Sequence, residues 1–293
     1  MSYVILDLEW NGAYSKSAHR FVNEIIEFGA VKTDEDLAVT DTFSALISPR
    51  IGKRLSGRVK ELTKLTNEAL SDGADFGSVV QSFGEFAGDS VIMTWGTSDI
   101  HALIDNCLYY YKDRKIPFLH RYCDMQEYCE RAMNRFDEGC QMGLGLCAER
   151  LGVEFSEDDQ HRAGADALLS LKCLKALRGA LPLDRFVQDA DSEAFYDRMT
   201  FKNHYITDLG SPDIDRSALK FNCDVCGKRA RRIKSWRLHN RNFTADFICK
   251  NCGRAFTGRV SFKKRYDGVR VNKRIVEKKE EEANTSNTKP NEE

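Results

Sequence analysis

Apolar residues recur with two different periods along the first 180 positions of the chain. Strand-like runs lie at residues 3–9, 24–33, 40–48 and 90–95, with a shorter one at 118–125. Helical patterns, with apolar residues every three or four positions, lie at Phe76–Ala87, Asp99–Tyr111, Met125–Met133, Leu144–Leu151 and Ala165–Leu177. The first three strands follow one another closely, which predicts a meander, whereas helices separate the later strands. The pattern therefore predicts an α/β domain built on a mixed sheet with flanking helices.

The pattern changes after this domain. Between Gly179 and about Lys220 it weakens, and segments such as "GSPDIDRS" predict a boundary region that is partly helical. A second compact segment extends to about Ile275, and "EKKEEEANTSNTKPNEE" follows without the apolar content that would offset the entropy of ordering. The predicted division is a domain over residues 1–180, a boundary over 181–219, a small domain over 220–275 and a disordered tail over 276–293.

Overall composition narrows the class of protein. The chain has 293 residues, of which 42% are hydrophobic and 30% are charged, as is typical of a soluble globular protein. The first residues lack a basic region of the kind that opens a signal peptide, and no apolar run approaches the ~20 residues of a membrane span. We therefore expect a cytoplasmic protein that does not associate with a membrane.

The net charge of −1 conceals a strong asymmetry along the chain. Residues 1–200 contain 22 basic and 33 acidic residues, whereas residues 201–274 contain 19 basic and 6 acidic residues. A basic block on an acidic protein favours an anionic polymer as partner, because clustered Lys and Arg side chains bind phosphates by releasing counterions. The alternative is a solvated surface without a partner.

Two carboxylates end the first predicted strand, in the segment "VILDLEW" at residues 4–10. Asp7 and Glu9 are two positions apart, so their side chains share one face of the strand. Two neighbouring carboxylates repel each other, and a divalent cation such as Mg²⁺ or Mn²⁺ removes that repulsion. The alternative is an exposed strand end with two solvated acids.

Two further stretches contain candidate partners for this pair. Asp99 follows the strand that ends in Trp95 and lies at the start of a helix, where Thr97 or Ser98 is the expected N-cap. Taken alone, Asp99 is better explained as an ordinary acid in the first turn of a helix.

His161 and Asp166 are the other candidates, in the segment "HRAGADALLSLKCL". Five positions on one helix place two side chains about 140° apart around its axis, so they would not face one point. We therefore predict that His161 lies in the loop before the helix and Asp166 in its first turns. A surface histidine is the alternative for His161 taken alone.

These residues together resemble a known family. Asp7-x-Glu9 on the first strand, Asp99 after "TWG", and His161 with Asp166 five positions later match in order and spacing the three motifs of the DEDDh exonucleases. These are the DnaQ-like and RNase T-like 3′ to 5′ nucleases. The resemblance covers about residues 1–178 and leans towards the Eri-type exoribonuclease branch. Trp10 departs from the many members that have Thr there, so contacts of that residue with a terminal nucleotide cannot be carried over.

The resemblance implies a ribonuclease H-like sheet and two Mg²⁺ or Mn²⁺ ions. Asp7 would bridge the ions, Glu9 and Asp166 would complete the shell of the first, and Asp99 would support the second through water. His161 is suited to accept a proton from the attacking water, because its unperturbed pKa is near ~6.5. The haloacid dehalogenase-like phosphatases also end a strand with Asp-x-acid, but they need Gly-Thr or Gly-Val soon afterwards, which "DLEWNGAY" lacks.

Four of the ten cysteines are paired by their spacing. Cys223 with Cys226 and Cys249 with Cys252 form two C-x2-C motifs with 22 residues between them. Four thiolates satisfy tetrahedral Zn²⁺, and the glycine after each pair permits a tight turn in which backbone N–H groups meet the sulfurs. The spacing predicts a zinc ribbon, with a thioredoxin-like redox pair as the alternative.

The remaining six cysteines are scattered singly and are predicted to be small core residues or free thiols. They are Cys107, Cys123, Cys129, Cys140, Cys147 and Cys173.

Basic and aromatic residues alternate around the paired cysteines. This combination is typical of proteins that hold single-stranded nucleic acid, since cations bind phosphates and aromatic rings stack on bases. The predicted contacts are Arg231, Arg232, Lys234, Trp236, Arg237, Lys263, Lys264 and Arg265. The alternative is that the aromatic residues form the core of the ribbon. That alternative is favoured for Phe247 and Phe256 and is equally good for Trp236.

The sequence thus predicts a metal-dependent 3′ to 5′ exonuclease with a basic zinc ribbon that binds the nucleic acid. RNA is favoured over single-stranded DNA only through the resemblance to the exoribonuclease branch, and nucleoside 5′-monophosphates are the products the family implies. The alternative function is a nucleic-acid-binding adaptor that keeps the nuclease fold without catalysis.

Overall fold

The structure, a computed structural model, describes residues 1–135, 141–156 and 162–277. These residues form two compact units, which we call the first unit, Met1–Thr200, and the second unit, from Phe201 onward. His161 and Cys140 lie outside the described residues, as does the predicted tail beyond residue 277.

The first unit is built on a six-stranded sheet. Its strands are β1 (Tyr3–Ser15), β2 (Arg20–Thr33), β3 (Val39–Leu46), β4 (Val91–Thr94), β5 (Arg121–Asp124) and β6 (Val187–Asp189). Their order across the sheet is β3-β2-β1-β4-β5-β6. The pairs β1–β2, β2–β3 and β5–β6 are antiparallel, and the pairs β1–β4 and β4–β5 are parallel. Both the predicted meander and the predicted mixed sheet are therefore confirmed.

Helices cover both faces of this sheet. The longer ones are α3 (Phe76–Ala87), α4 (Ser98–Tyr110), α5 (Met125–Ala132), α6 (Leu144–Leu151), α7 (Ala163–Ala176) and α8 (Glu193–Thr200). Apolar residues of α3, α4 and α8 pack in one core cluster, and those of α5, α6 and α7 pack in another. The predicted α/β fold is confirmed.

The alternation along β1 explains how one strand serves both cores. Val4, Leu6 and Leu8 belong to the core on one face, and Ile5 belongs to the core on the other. All four side chains are buried, and each contributes about 1.5–3 kcal/mol through removal from water. A strand buried on both faces forms a continuous apolar run, and the polar residues that interrupt it therefore need a separate explanation.

Several elements differ from the sequence-based expectation. β1 and β2 extend past the predicted strands, because residues 10–15 pair with residues 20–25 in a hairpin. Two short helices, α1 (Gly57–Thr63) and α2 (Asn67–Ser71), are too short to show a helical period, although Ser56 and Thr66 cap them with their side chains. β6 and α8 form in the region of weak pattern, where pairing with β5 and packing against the core outweigh local propensity.

The second unit is a small antiparallel sheet. Its strands are β7 (His204–Tyr205), β8 (Arg231–Arg232), β9 (Arg237–His239), β10 (Asn242–Ile248), β11 (Ala255–Arg265) and β12 (Gly268–Val276). β10, β11 and β12 form its centre, while β8 and β9 pair with β10 and β7 pairs with β11. A core of aromatic residues lies against it, including Phe221, Phe243, Phe247, Phe256 and Phe262.

Within the described ranges, every helix is too short or too polar to cross a lipid bilayer.

Candidate active site

Three carboxylates from two distant parts of the chain converge in the first unit. Side-chain oxygens of Asp7, Glu9 and Asp166 all lie within 4.8 Å of one another. Asp99 lines the same cavity, which has a volume of about 320 Å³. We call Asp7, Glu9, Asp99 and Asp166 the carboxylate cluster.

Asp7 and Glu9 lie where β1 continues beyond its parallel neighbour. The pairing of β1 with β4 covers only Tyr3–Ile5, so the acids follow the last paired residue. The other edge of β1 remains paired with β2, which fixes the backbone of both residues. This edge, outside the carboxyl ends of parallel strands, is where α/β sheets bind ligands.

The side chain of Asp99 accepts a hydrogen bond from β1 beyond the point where its pairing with β4 ends. The backbone N–H of Leu8, between the two acids, donates a hydrogen bond of 3.0 Å to Oδ1 of Asp99. Asp99 lies in the first turn of α4, and its side chain is buried with 4% exposure. Thr97 is the N-cap residue, as predicted, although its side chain makes no capping hydrogen bond. A backbone contact thus aims Asp99 at the strand that carries the other acids.

Asp166 reaches the cluster because α7 lies unusually close to β2. Asp7 pairs with Gly29 across the β1–β2 ladder, and a Cβ added to Gly29 would lie 2.1 Å from the backbone nitrogen of Gly164. Only a glycine permits this approach of helix to strand. α7 begins at Ala163, so Asp166 lies in its first turn, in agreement with the sequence-based expectation.

Burial and mutual repulsion raise the pKa values of Asp7, Glu9 and Asp99. The pKa of Asp7 is raised well above its usual value by burial and then by the charges of Asp99 and Asp166. Burial, followed by the charge of Asp166, raises the pKa of Glu9 to about 8. Burial raises the pKa of Asp99 to about 7, although the hydrogen bond from Leu8 opposes the shift. Ionising all of these groups together therefore requires positive charge nearby.

Arg162 supplies a part of that charge, since it lowers the pKa of Glu9, but burial and the neighbouring acids outweigh its effect. The described residues that line the cavity are Asp7, Leu8, Glu9, Trp10, Trp95, Ser98, Asp99, Leu144, Gly145 and Asp166, without a basic side chain among them. Hard carboxylate oxygens gathered in one cavity are suited to divalent cations that prefer oxygen ligands.

An ion pair between a buried acid and an exposed arginine next to the cluster was not anticipated from the sequence. Glu27 lies on β2 opposite Glu9 and is only 2% exposed. Arg162, the N-cap residue of α7, donates to it through Nε at 3.1 and 3.2 Å and through Nη2 at 2.8 Å. The pair ties the start of α7 to β2. An acid within the otherwise apolar run "IIEFGAV" was the available signal, because a buried charge needs a partner.

His161 immediately precedes Arg162 but lies outside the described residues. Its predicted place in the loop before α7 stays a prediction.

Comparisons with known proteins place the first unit in a family. Residues 4–174 match the profile of the RNase T exonuclease family. The probable 3′-5′ exonuclease KapD of Bacillus subtilis (strain 168) is 31% identical over 179 residues, which are 59% of this chain and 83% of that protein. The chain therefore belongs to the RNase T exonuclease family, and it is a 3′ to 5′ exonuclease.

Other relatives are larger proteins that share only this region. The PolC-type DNA polymerase III of Clostridium perfringens (strain 13 / Type A) is 28% identical over 174 residues, which are 59% of this chain and 11% of the polymerase. The match extends over a small part of that polymerase.

Solved structures share the fold of the first unit. A full-length 3′-exonuclease superimposes with a TM-score of 0.50 at 20% identity, over 60% of this chain and 59% of that one. A 3′-exonuclease described by its recognition of the 3′ end of a histone mRNA stem-loop gives 0.51 at 19% identity, over 61% and 64%. This chain therefore spans less than two thirds of either solved chain.

The second unit brings its four paired cysteines together. The sulfurs of Cys223, Cys226, Cys249 and Cys252, here called the cysteine cluster, lie within 4.8 Å of one another. Each pair forms a turn closed by a backbone hydrogen bond of 2.9 Å, from Gly227 to Cys223 and from Gly253 to Cys249. The predicted tight turns are confirmed.

Both turns use the left-handed backbone, with φ values of +70° at Gly227 and +74° at Gly253. The backbone N–H groups of Cys252 and Asn251 lower the pKa of Cys249 to about 7. Arg254 of one turn donates to Asp224 of the other through Nε at 2.6 Å and Nη2 at 2.8 Å. Four thiols held in this way form a donor set suited to Zn²⁺.

The remaining described cysteines are buried free thiols, as predicted. They are Cys107, Cys123, Cys129, Cys147 and Cys173.

The predicted nucleic-acid contacts of the second unit fall into three groups. Arg231, Arg232 and Arg237 are exposed on β8 and β9. Lys234 lies 3.2 Å from buried Asp246, and Lys264 lies 2.6 Å from Asp213, so both cations are already paired. The exposed arginines are therefore the stronger candidates.

The other contacts are more enclosed. Lys263 and Arg265 are half-buried on β11, and Nζ of Lys263 lies 5.8 Å from the ring centre of Tyr205. Trp236 is half-buried, with its ring 5.8 Å from that of Phe247.

Most aromatic residues near the cysteines belong to the core. Phe247 and Phe256 are buried and stack with their ring centres 5.6 Å apart, which confirms the favoured alternative for these two residues. Phe243 and Phe262 are buried as well and cannot stack on bases.

Proposed function

We propose that this exonuclease hydrolyses phosphodiester bonds of RNA or single-stranded DNA from the 3′ end and releases nucleoside 5′-monophosphates. Two Mg²⁺ or Mn²⁺ ions would be held by Asp7, Glu9, Asp99 and Asp166. The observation that carries the proposal is the convergence of these acids, from three separate segments, on one cavity that lacks a basic side chain among its described residues.

The proposed roles of the acids are those that the resemblance to the DEDDh exonucleases implies. Asp7 lies at the centre of the cluster, since the charges of Asp99, Asp166 and Glu9 all raise its pKa, and we assign it to bridge the ions. Glu9 and Asp166 would complete the shell of the first ion, and Asp99 would support the second through water. Bound in this way, a pair of divalent cations lowers the pKa of water and stabilises charge on the attacking and leaving oxygens.

His161 completes the proposal as the group that accepts the proton of the attacking water. An imidazole with a pKa near ~6.5 does so close to neutral pH. Its assignment rests on its spacing from Asp166 in the sequence.

The second unit is proposed to be a zinc ribbon, with one structural Zn²⁺ held by the cysteine cluster. Its exposed arginines would bind phosphates of the same strand and add to the affinity of the first unit. The preference for RNA, membership of the Eri-type branch and the cytoplasmic location belong to this proposal as well. The proposed division is a nuclease domain over residues 1–180 and a ribbon over residues 220–275.

A direct test uses RNA and DNA strands of one sequence, each 12 nucleotides long and labelled at the 5′ end. With Mg²⁺ or Mn²⁺, the protein is expected to produce a ladder that shortens from the 3′ end, faster on RNA, and to produce none in EDTA. Asp7→Asn should abolish the ladder. Asp72→Asn, which neutralises an exposed acid at the end of α2, should not.

The adaptor alternative makes the opposite prediction. A wild-type protein that binds both strands tightly, with either cation present, and shortens neither would refute the catalytic proposal.

A further inference from the structure

A second group of basic side chains lies in the first unit, away from the ribbon. Residues 50–64, which we call the basic segment, include a single acid, Glu61. Their cations are Arg50, Lys53, Arg54, Arg58, Lys60 and Lys64. The segment thus has a net charge of +5 within residues 1–200, whose net charge is −11. A concentrated positive charge on an acidic unit is a local feature that the composition of the unit does not explain.

The charges of this segment are open to a partner. All six cationic side chains are exposed. Within the described residues, no carboxylate lies at ion-pair distance from any of them, whereas Arg20, Arg114 and Arg178 of the same unit all have such partners. The segment is therefore not a set of surface ion pairs, and its charge remains available to an anion.

A buried carboxylate fixes the backbone of the segment. Glu24 on β2 is fully buried and accepts hydrogen bonds from the backbone N–H groups of Arg50, Ile51 and Gly52, at 2.6 to 3.0 Å. The hydroxyl of Tyr110 donates to the same carboxylate at 2.8 Å. Because Glu24 holds the main chain inward, the side chains are presented outward from a fixed base, which reduces the entropy lost on binding.

The segment also lies beside the strand that carries the active-site acids. Nδ2 of Asn11 donates to the carbonyl of Arg54, and Oδ1 of Asn11 accepts from the backbone of Ser56, both at 3.2 Å. Asn11 follows Glu9 by two positions, so its side chain is on the same face of β1 as the acids. The step between them is roughly 7 Å along the strand. The basic segment is thus the next feature along that face after the carboxylate cluster.

We propose that the basic segment binds backbone phosphates of the substrate strand on the 5′ side of the bond that is cleaved. This inference rests on the proposed function and adds a binding surface to it within the first unit. An acidic unit that cleaves a polyanion repels its substrate, and the exposed cations of the basic segment, whose backbone contacts Asn11 on the strand of the acids, offset that repulsion where the strand leaves the site. Contacts with phosphates carry no base preference, so the surface serves any sequence.

The test removes three charges from the segment in the full-length chain. Lys53→Gln, Arg54→Gln and Arg58→Gln are combined and compared with a matched control, Lys112→Gln, Lys175→Gln and Arg185→Gln, which removes three exposed cations elsewhere in the first unit. Binding of a labelled 12-nucleotide single strand is measured by anisotropy over a range of salt concentrations, with Asp7→Asn added to prevent cleavage. Cleavage kinetics are measured on a dinucleotide and on the 12-nucleotide strand.

The segment variant is expected to bind the long strand on the order of tenfold more weakly. The slope of log K against log salt concentration should be smaller by about 2, because each of the three lost phosphate contacts contributes ~0.7. The kcat/KM of this variant should fall more on the long strand than on the dinucleotide, through KM. Equal affinity and salt dependence in the segment variant and the control would overturn the inference. This result is expected if the basic segment binds an acidic protein instead of the substrate strand. A wild-type chain that cleaves neither substrate refutes the proposed function instead, while the binding measurement still decides the role of the segment.

Discussion

The carboxylate cluster and the cysteine cluster each gather four ligand-type side chains, but the chain assembles them in opposite ways. The acids come from β1, α4 and α7, between positions 7 and 166, and meet only because the sheet and helices pack around them. The cysteines come from two short turns, each closed by its own hydrogen bond from a glycine.

The pKa shifts of the two clusters also differ. Burial and repulsion raise the pKa values of Asp7, Glu9 and Asp99, so the first unit holds its acids together at a cost in stability. In the cysteine cluster the shifts are mixed, because backbone N–H groups lower the pKa of Cys249 while hydrogen bonds with neighbouring thiols raise the pKa of Cys252. On the proposed function, the fold of the first unit would position the ligands for its metal ions, whereas a bound Zn²⁺ would stabilise the fold of the second unit.

Neutralising Asp7, the central acid of the carboxylate cluster, should have the largest effect of the changes considered, on the cleavage rate. Asp7→Asn is expected to lower single-turnover cleavage by at least about 10²–10³-fold, the loss typical for removal of one group that stabilises the transition state. The metal-free first unit should melt at a higher temperature, because the repulsion within the cluster is relieved. Quench-flow cleavage and calorimetry measure the two effects.

A lower melting temperature of Asp7→Asn without metal would contradict the view that the cluster destabilises the fold.

Displacing α7 tests whether packing assembles the acids. Gly29→Ala places a methyl group 2.1 Å from the backbone of α7, so the helix must shift and carry Asp166 away from Asp7. Misplacement by ~1 Å can lower the rate by about 10²-fold. The matched control is Gly164→Ala, at the other side of this contact, where an added Cβ meets no heavy atom within 4 Å. Cleavage rates and Mn²⁺ affinity by calorimetry report the shift.

Similar rates for the two alanine variants would mean that the close approach of α7 does not set the position of Asp166.

Removal of zinc should destabilise the second unit and leave the first unit folded. Cys252→Ser is expected to reduce zinc from one ion per chain to none and to unfold the second unit, because small zinc-binding folds derive their stability from the metal. Cleavage of a dinucleotide should be retained. Zinc content by mass spectrometry and two-transition calorimetry check this result, with Cys107→Ala, a buried thiol of the first unit, as the control that keeps its zinc.

A second unit that keeps its melting transition without zinc would place the stability of that unit in its aromatic core.

The pH dependence of stability should differ between metal-free and metal-bound protein. An acid whose folded pKa is raised binds its proton more tightly in the folded state, so stability is lost as pH rises from the unfolded pKa near ~4 to the folded value. With Glu9 at about 8 and Asp99 at about 7, the metal-free melting temperature should fall by several degrees between pH 5 and pH 8. About 1 kcal/mol moves the midpoint of a domain of this size by ~2–4 °C.

Adding Mg²⁺ should therefore raise the melting temperature more at pH 8 than at pH 5.5, as measured by fluorimetry. In the Asp7→Asn variant, which lacks one of the repelling charges, this dependence should be weaker. A metal effect that is equal at both pH values would contradict ligation by ionised carboxylates.

The exposed arginines of the second unit should show the smallest effect. Arg231→Gln combined with Arg237→Gln is expected to weaken binding of a single strand about equally for all sequences. The slope of log K against log salt concentration should be smaller by about 1.4, because each lost contact contributes ~0.7. Lys234→Gln is the comparison, since that lysine already pairs with Asp246 and should contribute less. Anisotropy titrations over a salt range provide both values.

Local features of the sequence were sufficient for much of the fold. The bounds of α3 and α6 agree with the predicted helices, because an amphipathic pattern of two or more turns is visible without tertiary information. The turns at Gly227 and Gly253 were likewise evident, since spacing and glycine chemistry are properties of a few adjacent residues. The short helices α1 and α2 and the strand β6 lacked such a signal.

Only the tertiary structure decided which acids of the first unit serve the active site and which support the fold. Asp7 and Glu9 line the cavity, whereas Glu24 holds the basic segment and Glu27 holds Arg162, although all four lie in strands with similar apolar surroundings. The sequence by itself determined where these charges interrupt the apolar runs. Their partners depend on distances between remote parts of the chain, which side-chain packing sets and local propensity does not.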